Sequence, residues 1–312
     1  MKVGLAIGAL PAMADADQQL RVLALFLSCA ILHLIMRRLS SVERQLAGAP
    51  PADRAAAAED LSMDAIARGL PLDGWRLAKS VDGGKLRCYT RADGAGEFGF
   101  RFVSEIDVAG AAECMALPRE TDLIPEWNIF CEAAEIVRLD SPTELWAQAI
   151  LKLPWPVPRH LVRLHATLHD RVERDGCFVC HTASPPDFPE GDPRYAACAS
   201  HLLPLRLGVG RLVPLPEAVA GVPRTAADIV MLIDLNQVRY LRGLGGHLPQ
   251  WLVDVVLAIM VPWLWRMALQ LLADMGGDNA LARRLRTDES GVYAQIRRAC
   301  RQPAVPPREG TM

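Results

Sequence analysis

Polar and apolar residues alternate from Gly74 to Thr90 on either side of Asp82-Gly83-Gly84. Turn-forming residues between two alternating runs predict a pair of antiparallel strands. Phe98, Phe100 and Phe102 then take every second position of the run Glu97 to Val108, the period of a strand with one apolar face. A helix is expected from about Ala109 to Leu117, and a strand over the EAAEIVRL run that follows PEWNIF. Ser141-Pro142-Thr143-Glu144 reads as a helix start, with Ser141 as N-cap, Pro142 at the first helical position and Glu144 completing a capping box. That helix would run through LWAQAILKL and stop before Pro154.

From His160 to Ser184 the alternation continues on both sides of Asp175-Gly176, which predicts a hairpin. As a two-residue turn, Asp175-Gly176 would set Arg171 opposite Cys180, Asp170 opposite His181 and His169 opposite Thr182. Two further strands are expected over 201–213 and 225–239. Pro249 then opens a long apolar helix in which Trp251, Val255, Ile259, Trp263 and Met267 recur at helical spacing, the pattern of a helix laid over a sheet. Beyond Gly276 the Arg-rich chain, ending QPAVPPREGTM, is expected to fray.

Three segments follow. Residues 1–60 hold an apolar run, Val22 to Met36, and the linker-like GAPPADRAAAAE; residues 61–275 hold the strands and the long helix; residues 276–312 form the Arg-rich tail. The Val22 to Met36 run is apolar on every helical face, with Arg37 and Arg38 after it. It reads either as a membrane anchor, placing the following domain on the cytoplasmic side, or as a helix packed on that domain. The second apolar helix carries Asp254, Pro262 and Arg266, and ionisable groups are costly in the hydrocarbon centre.

Lys plus Arg number 34 against 36 Asp plus Glu, so no global field draws the chain to nucleic acid. Eight cysteines scattered through 312 residues fit reduced thiols in an intracellular, cytoplasmic setting better than a disulfide scaffold.

Residues 177 to 181 read CFVCH, the spacing that attaches c-type haem. On a strand, however, Cys177 and Cys180 leave from opposite faces, and one porphyrin cannot bond both. His160, His165, His169, Cys177, Cys180 and His181 crowd the same hairpin, yet the expected register does not converge four of them on a zinc ion. No nucleophile elbow, metalloprotease helix or phosphate-binding glycine loop is present. No metal and no cofactor is expected.

Trp75, PEWNIF with Trp127, PRHLVRLH (Pro158 to His165) and GGHLPQWLVDVVLAIMVPWL stand in an order and spacing that resembles the StAR-related lipid-transfer (START) domain, over roughly Gly74 to Ala273. His160 departs from the family's usual Asp. His165 stands where several members have an Arg pointing into the lipid cavity. The resemblance implies an α+β helix-grip fold: a curved antiparallel sheet wrapped around the long C-terminal helix, with an N-terminal helical extension. It also implies a monomeric, non-enzymatic protein that binds or transfers one lipid (sterol, phospholipid or ceramide) in an apolar tunnel and meets a membrane surface. On that reading Arg163 and His165 supply polar contacts, while Trp127, Trp251, Val255, Ile259 and Trp263 line or lid the tunnel. The alternative is a helix-grip enzyme of the polyketide cyclase or aromatase type, with His165 as acid/base.

Overall fold

The computed structural model describes residues 63–92, 97–152, 158–198, 201–216, 222–235, 238 and 250–301, and within them every side chain except those of residues 64, 250–252 and 255. The apolar run Val22 to Met36, the linker and the glycine loop before Pro249 lie outside the described residues. The elements below belong to one compact unit, residues 51–152 and 159–312.

In chain order they are α1 (Met63–Arg68), β1 (Arg76–Val81), β2 (Leu86–Ala92), β3 (Glu97–Ile106), α2 (Ala111–Arg119), α3 (Ile124–Trp127), β4 (Cys131–Ser141), β5 (Glu144–Leu151), β6 (His160–Arg171), α4 (Val172–Asp175), β7 (Cys177–Ala183), α5 (Pro193–Ala196), β8 (Leu205–Leu215), β9 (Arg224–Asp234), α6 (Gln250–Ala273), α7 (Ala280–Thr287) and α8 (Val292–Arg301). The strands form one nine-stranded antiparallel curved sheet in the order β1-β2-β3-β9-β8-β7-β6-β5-β4.

Strand parity sorts the side chains onto two faces. On the inner face Leu86, Cys88 and Phe98 pack with Val253, Leu257 and Val261 of α6. Further along the same face, Phe178, Leu212 and Ala227 join Ala112 and Met115 of α2 and Leu272 of α6. The outer face is covered in part by α1, whose Ile66 and Ala67 bury Cys177, Val179 and Val209. Trp75 also lies outside, over Gly99, where an added β-carbon would come within 2.9 Å of the indole.

Three expectations are corrected. The segment read as a helix from Ser141 is the turn and return strand of a hairpin: Ser141 pairs with Glu144, and the Ser141 hydroxyl accepts from the Thr143 amide at 3.2 Å. Leu145, Ala147, Gln148 and Ile150 of β5 are all buried. Burial on both faces erased the polar alternation that marks a strand, and a run of Ala, Leu and Gln then looks helical.

The hairpin after His160 has a longer connection than two residues. The helical turn α4 ends on Gly176, which sits at φ 68°, the left-handed conformation that glycine adopts at little cost. Arg171 therefore faces Cys177, Leu168 faces Cys180 and Thr167 faces His181. This is three residues from the expected register.

The chain beyond Gly276 does not fray at once. Leu281 and Leu285 of α7, with Val292, Tyr293 and Ile296 of α8, are buried against α2. Glu120, just past α2, pins both helices: it accepts from the Tyr293 hydroxyl at 2.5 Å and from Arg284 at 2.8 Å, beside Arg119 at 3.0 Å. Residues 302–312 lie outside the described residues.

Candidate functional site

Across the middle of the sheet the register lines up two inner-face rows. One runs Cys88, Phe102, Ile229, Gly210, Cys180, Leu168; the next runs Phe100, Met231, Gly208, Thr182, Ala166, Leu145. Between these rows and the helix the wall is not closed. Ile229 lies on a central strand yet is 38% exposed, and Phe102, Met231, Leu164 and Ala166 are only partly covered. Gly208 and Gly210 contribute no side chain to fill the space in front of them.

The reason is the seat of α6. Its stripe Val253, Leu257 and Val261 rests on β2 and β3, and Asp254 meets Arg76 of β1 at 2.5 Å. Trp263 reaches the other edge, where its ring meets Phe130, just before β4, at 5.7 Å in an edge-on geometry. The helix thus joins both edges of the curved sheet and leaves an apolar recess before the central strands.

Charge is missing from that wall. Between residues 86–90, 98–106, 134–139, 145–151, 162–168, 178–182, 208–212 and 225–233, the inner positions set by the register carry no Asp, Glu, Lys, Arg or His. Ionisable groups on this face stand at its margins: the register also sets the buried His160, at the start of β6, opposite Leu151, and Lys79 of the edge strand opposite Cys88. Arg76 is engaged by Asp254 on the edge strand, and Asp170, at the end of β6, accepts from the Val172 amide at 3.1 Å. Burial pushes the thiol of Cys88 up to about 12 and that of Cys180 up to about 11. Both are therefore protonated, apolar wall groups at neutral pH rather than nucleophiles.

The expected site residues divide. Arg163 and His165 are not in the recess. The register places them on the outer face with Thr167 and His169, while Val162, Leu164, Ala166 and Leu168 point inward. His165 stacks on Trp146 at 4.3 Å and meets Glu144 at 2.8 Å. Arg138 lies over the same indole at 4.6 Å, and the Trp146 ring N–H donates to Asp140 at 2.7 Å. Arg163 lies over the Phe188 ring at 5.1 Å. Alternation along VRLHATL already encoded this division, because its apolar residues occupy 162, 164, 166 and 168.

Trp263 meets Phe130, and the half-buried Trp127 ends α3 one turn before that phenylalanine. Ile259, on α6, is 40% exposed. Trp251 and Val255 fall on α6, but their side chains lie outside the described ones. Sequence reading missed Phe130, Ile229, Met231 and Thr182; the strand period marks the faces of the last three, but pairing across β9, β8 and β7 was needed to bring them together.

CFVCH is also resolved. Cys180 belongs to the inner wall, and Cys177 lies outside beneath α1 with His181 on the same face. The His181 imidazole is held below its ordinary pKa, first by burial and then by His169 and His165. Among the described residues no group of three or more His, Cys, Asp or Glu side chains is placed to hold a metal.

A curved sheet gripping one long helix, with a recess between them, is the helix-grip fold of the START domains. The chain is similar to human STARD10, at 9% identity and a TM-score of 0.52, covering 82% of this chain and 94% of that one. It is similar also to human StAR-related lipid transfer protein 5 (11% identity, 79% and 99% coverage, TM-score 0.47). A third similar structure is a STAR-related lipid transfer protein from Xanthomonas axonopodis (19%, 64% and 99%, TM-score 0.43). No family model and no curated protein sequence matches the chain.

Proposed function

We propose that the protein binds a single lipid molecule in the recess between the inner face and α6 and carries it between membranes without altering it. The observation that carries this reading is the charge-free, partly exposed apolar wall centred on Ile229. A concave apolar surface spanned by a helix suits an acyl chain or fused ring system, which gains the transfer free energy of leaving water. The fold shared with human STARD10 supports it. A hydrolase or cyclase would need an acid, base or nucleophile in the recess. The central wall offers protonated thiols, hydroxyls and hydrocarbon; His165 stands on the far face, and His160 is buried at the margin, at the start of β6.

In this proposal Val22 to Met36 tethers the domain to the cytoplasmic face of a membrane, and one chain acts alone. The experiment is extraction: purified full-length protein is incubated with liposomes holding a radiolabelled lipid, then weighed intact by native mass spectrometry. One lipid per chain is expected; a ligand-free protein that extracts nothing would overturn the reading. Carbonate washing of membranes tests the tether, which should keep the full chain in the pellet and release a chain starting at residue 51.

A further inference from the structure

We infer that the recess takes an uncharged lipid carrying a free hydroxyl, and that the hydroxyl of Thr182 is its polar contact. This rests on the lipid-binding reading above and narrows it.

A phosphate or quaternary ammonium drawn out of water needs a counter-charge or several strong hydrogen bonds. Across its central strands the inner wall supplies no charged side chain, and His160 stands at its margin, at the start of β6. Arg76, at the margin, is already held by Asp254, and α6 contributes only that Asp254 and the exposed Arg266 as charges. A zwitterionic or anionic headgroup would be buried uncompensated among these residues.

Thr90, 2% exposed, receives Arg76 at 3.4 Å, and Thr225, fully buried, donates to the Ala109 carbonyl at 3.1 Å. Ser104 is buried towards the end of β3. Thr182 differs. It stands in the central row opposite Gly208 on β8, and a β-carbon added at Gly208 would lie 2.0 Å from its Oγ1. The hydroxyl therefore leans over the glycine, into space that any other residue would fill. Its inner-face neighbours are Ala166, Cys180 and Met231, and the Cδ2 of Leu205 lies 2.9 Å from the same point over Gly208. Among the described residues it enters no side-chain hydrogen bond, and it is not sealed from solvent.

A hydroxyl both donates and accepts. Set in an apolar wall, it pairs with one alcohol on a hydrocarbon skeleton, as in a sterol, a long-chain alcohol, a diacylglycerol or a ceramide.

The test uses full-length protein and phosphatidylcholine liposomes containing trace tritiated cholesterol, cholesteryl methyl ether, dioleoylglycerol or phosphatidylglycerol. The two alcohols should be extracted in preference to phosphatidylglycerol and to the bulk phosphatidylcholine. The free sterol should bind about five- to tenfold more tightly than its methyl ether, the worth of one hydrogen bond. Thr182→Val should lower affinity for the alcohols by the same factor and leave the ether unchanged, while Thr182→Ser should retain binding. Preferential extraction of phospholipid, equal binding of alcohol and ether, or wild-type alcohol affinity in a folded Thr182→Val protein would overturn the inference. The wild-type comparison of alcohol with ether decides even if the variant does not fold. Failure to extract any of these lipids would instead overturn lipid binding itself.

Discussion

Arg101 and Asp228 meet diagonally across β3 and β9 on the outer face, with Nε and Nη2 of the guanidinium donating to the two carboxylate oxygens at 2.8 and 2.7 Å. The same guanidinium donates to the carbonyls of Leu70 and Pro71 at 2.8 and 2.7 Å. Arg211 donates to that of Ala67 at 2.8 Å. Two arginines of the sheet thus satisfy carbonyls at and just beyond the C-terminal end of α1, and hold the N-terminal segment on the outer face.

Asp228→Ala should therefore destabilise the protein by about 3–5 kcal/mol, since it leaves a buried guanidinium without its counter-ion. Arg101→Met combined with Asp228→Leu should recover much of that loss, because both charges go together. Urea denaturation followed by tryptophan fluorescence gives the comparison. A single variant as stable as wild type would show the pair to be incidental.

Stability should fall on the alkaline side. The thiols of Cys88 and Cys114 are pushed up to about 12 and that of Cys131 to about 11, each first by burial. Tyr293 is raised first by burial and then by Glu120, to which it donates. Each group binds its proton more tightly folded than unfolded. Their contribution is complete below the ordinary thiol value near 9 and is lost progressively as pH rises through the folded values. The urea midpoint should decline from pH 8.5 to 11, and Cys88→Ala should flatten part of that decline. Tyr293→Phe should flatten its upper end, at a cost near 1 kcal/mol at neutral pH.

The two faces of the sheet can be told apart by substitution. Ile229→Glu should abolish lipid extraction by placing a carboxylate in the recess, with only a modest stability cost because the side chain is partly exposed. His165→Ala and Arg163→Ala should extract lipid within about twofold of wild type, a difference of roughly 0.4 kcal/mol. The liposome assay reads all three. Loss of extraction in folded His165→Ala would mean that the outer face, not the inner, handles the ligand.

Trp263 and Phe130 join α6 to the β4 edge, and an edge-on aromatic pair is worth about 0.5–1.5 kcal/mol beyond its buried area. A double-mutant cycle with Trp263→Leu and Phe130→Leu should return a coupling energy of that size. Each single variant should also release bound lipid faster, measured by transfer to acceptor liposomes. Strict additivity in the cycle would remove this contact as a fastening of the helix.

Most of the strands were legible because Phe98, Phe100 and Phe102, or Val162, Leu164 and Ala166, keep the period of two over several residues. The segment 144–151 was not, because both its faces are buried and its residues favour helix. The register of β6 against β7 was hidden in the choice between a two-residue turn and a helical turn ending on Gly176; three residues of shift change every partner. Arg163 and His165 were misplaced because family resemblance outweighed the local alternation. Thr182 and Ile229 gave no sign in one dimension: each is an ordinary strand residue until its pairing with β8 sets it beside a glycine.

Every neighbouring pair in the sheet is consecutive in the chain except β3 with β9. The first three strands can form a ribbon by local hairpins, and β4 to β9 a second, before the seam from Glu97 with Asp234 to Ile106 with Thr225 draws them together. Closing so long an intervening loop makes this the slow step of folding. Because α6 rests on the first ribbon and touches the edge of the second, the recess comes into being only when the seam closes. A nascent chain, or one unzipped along β3 and β9, has two apolar sheets and no pocket.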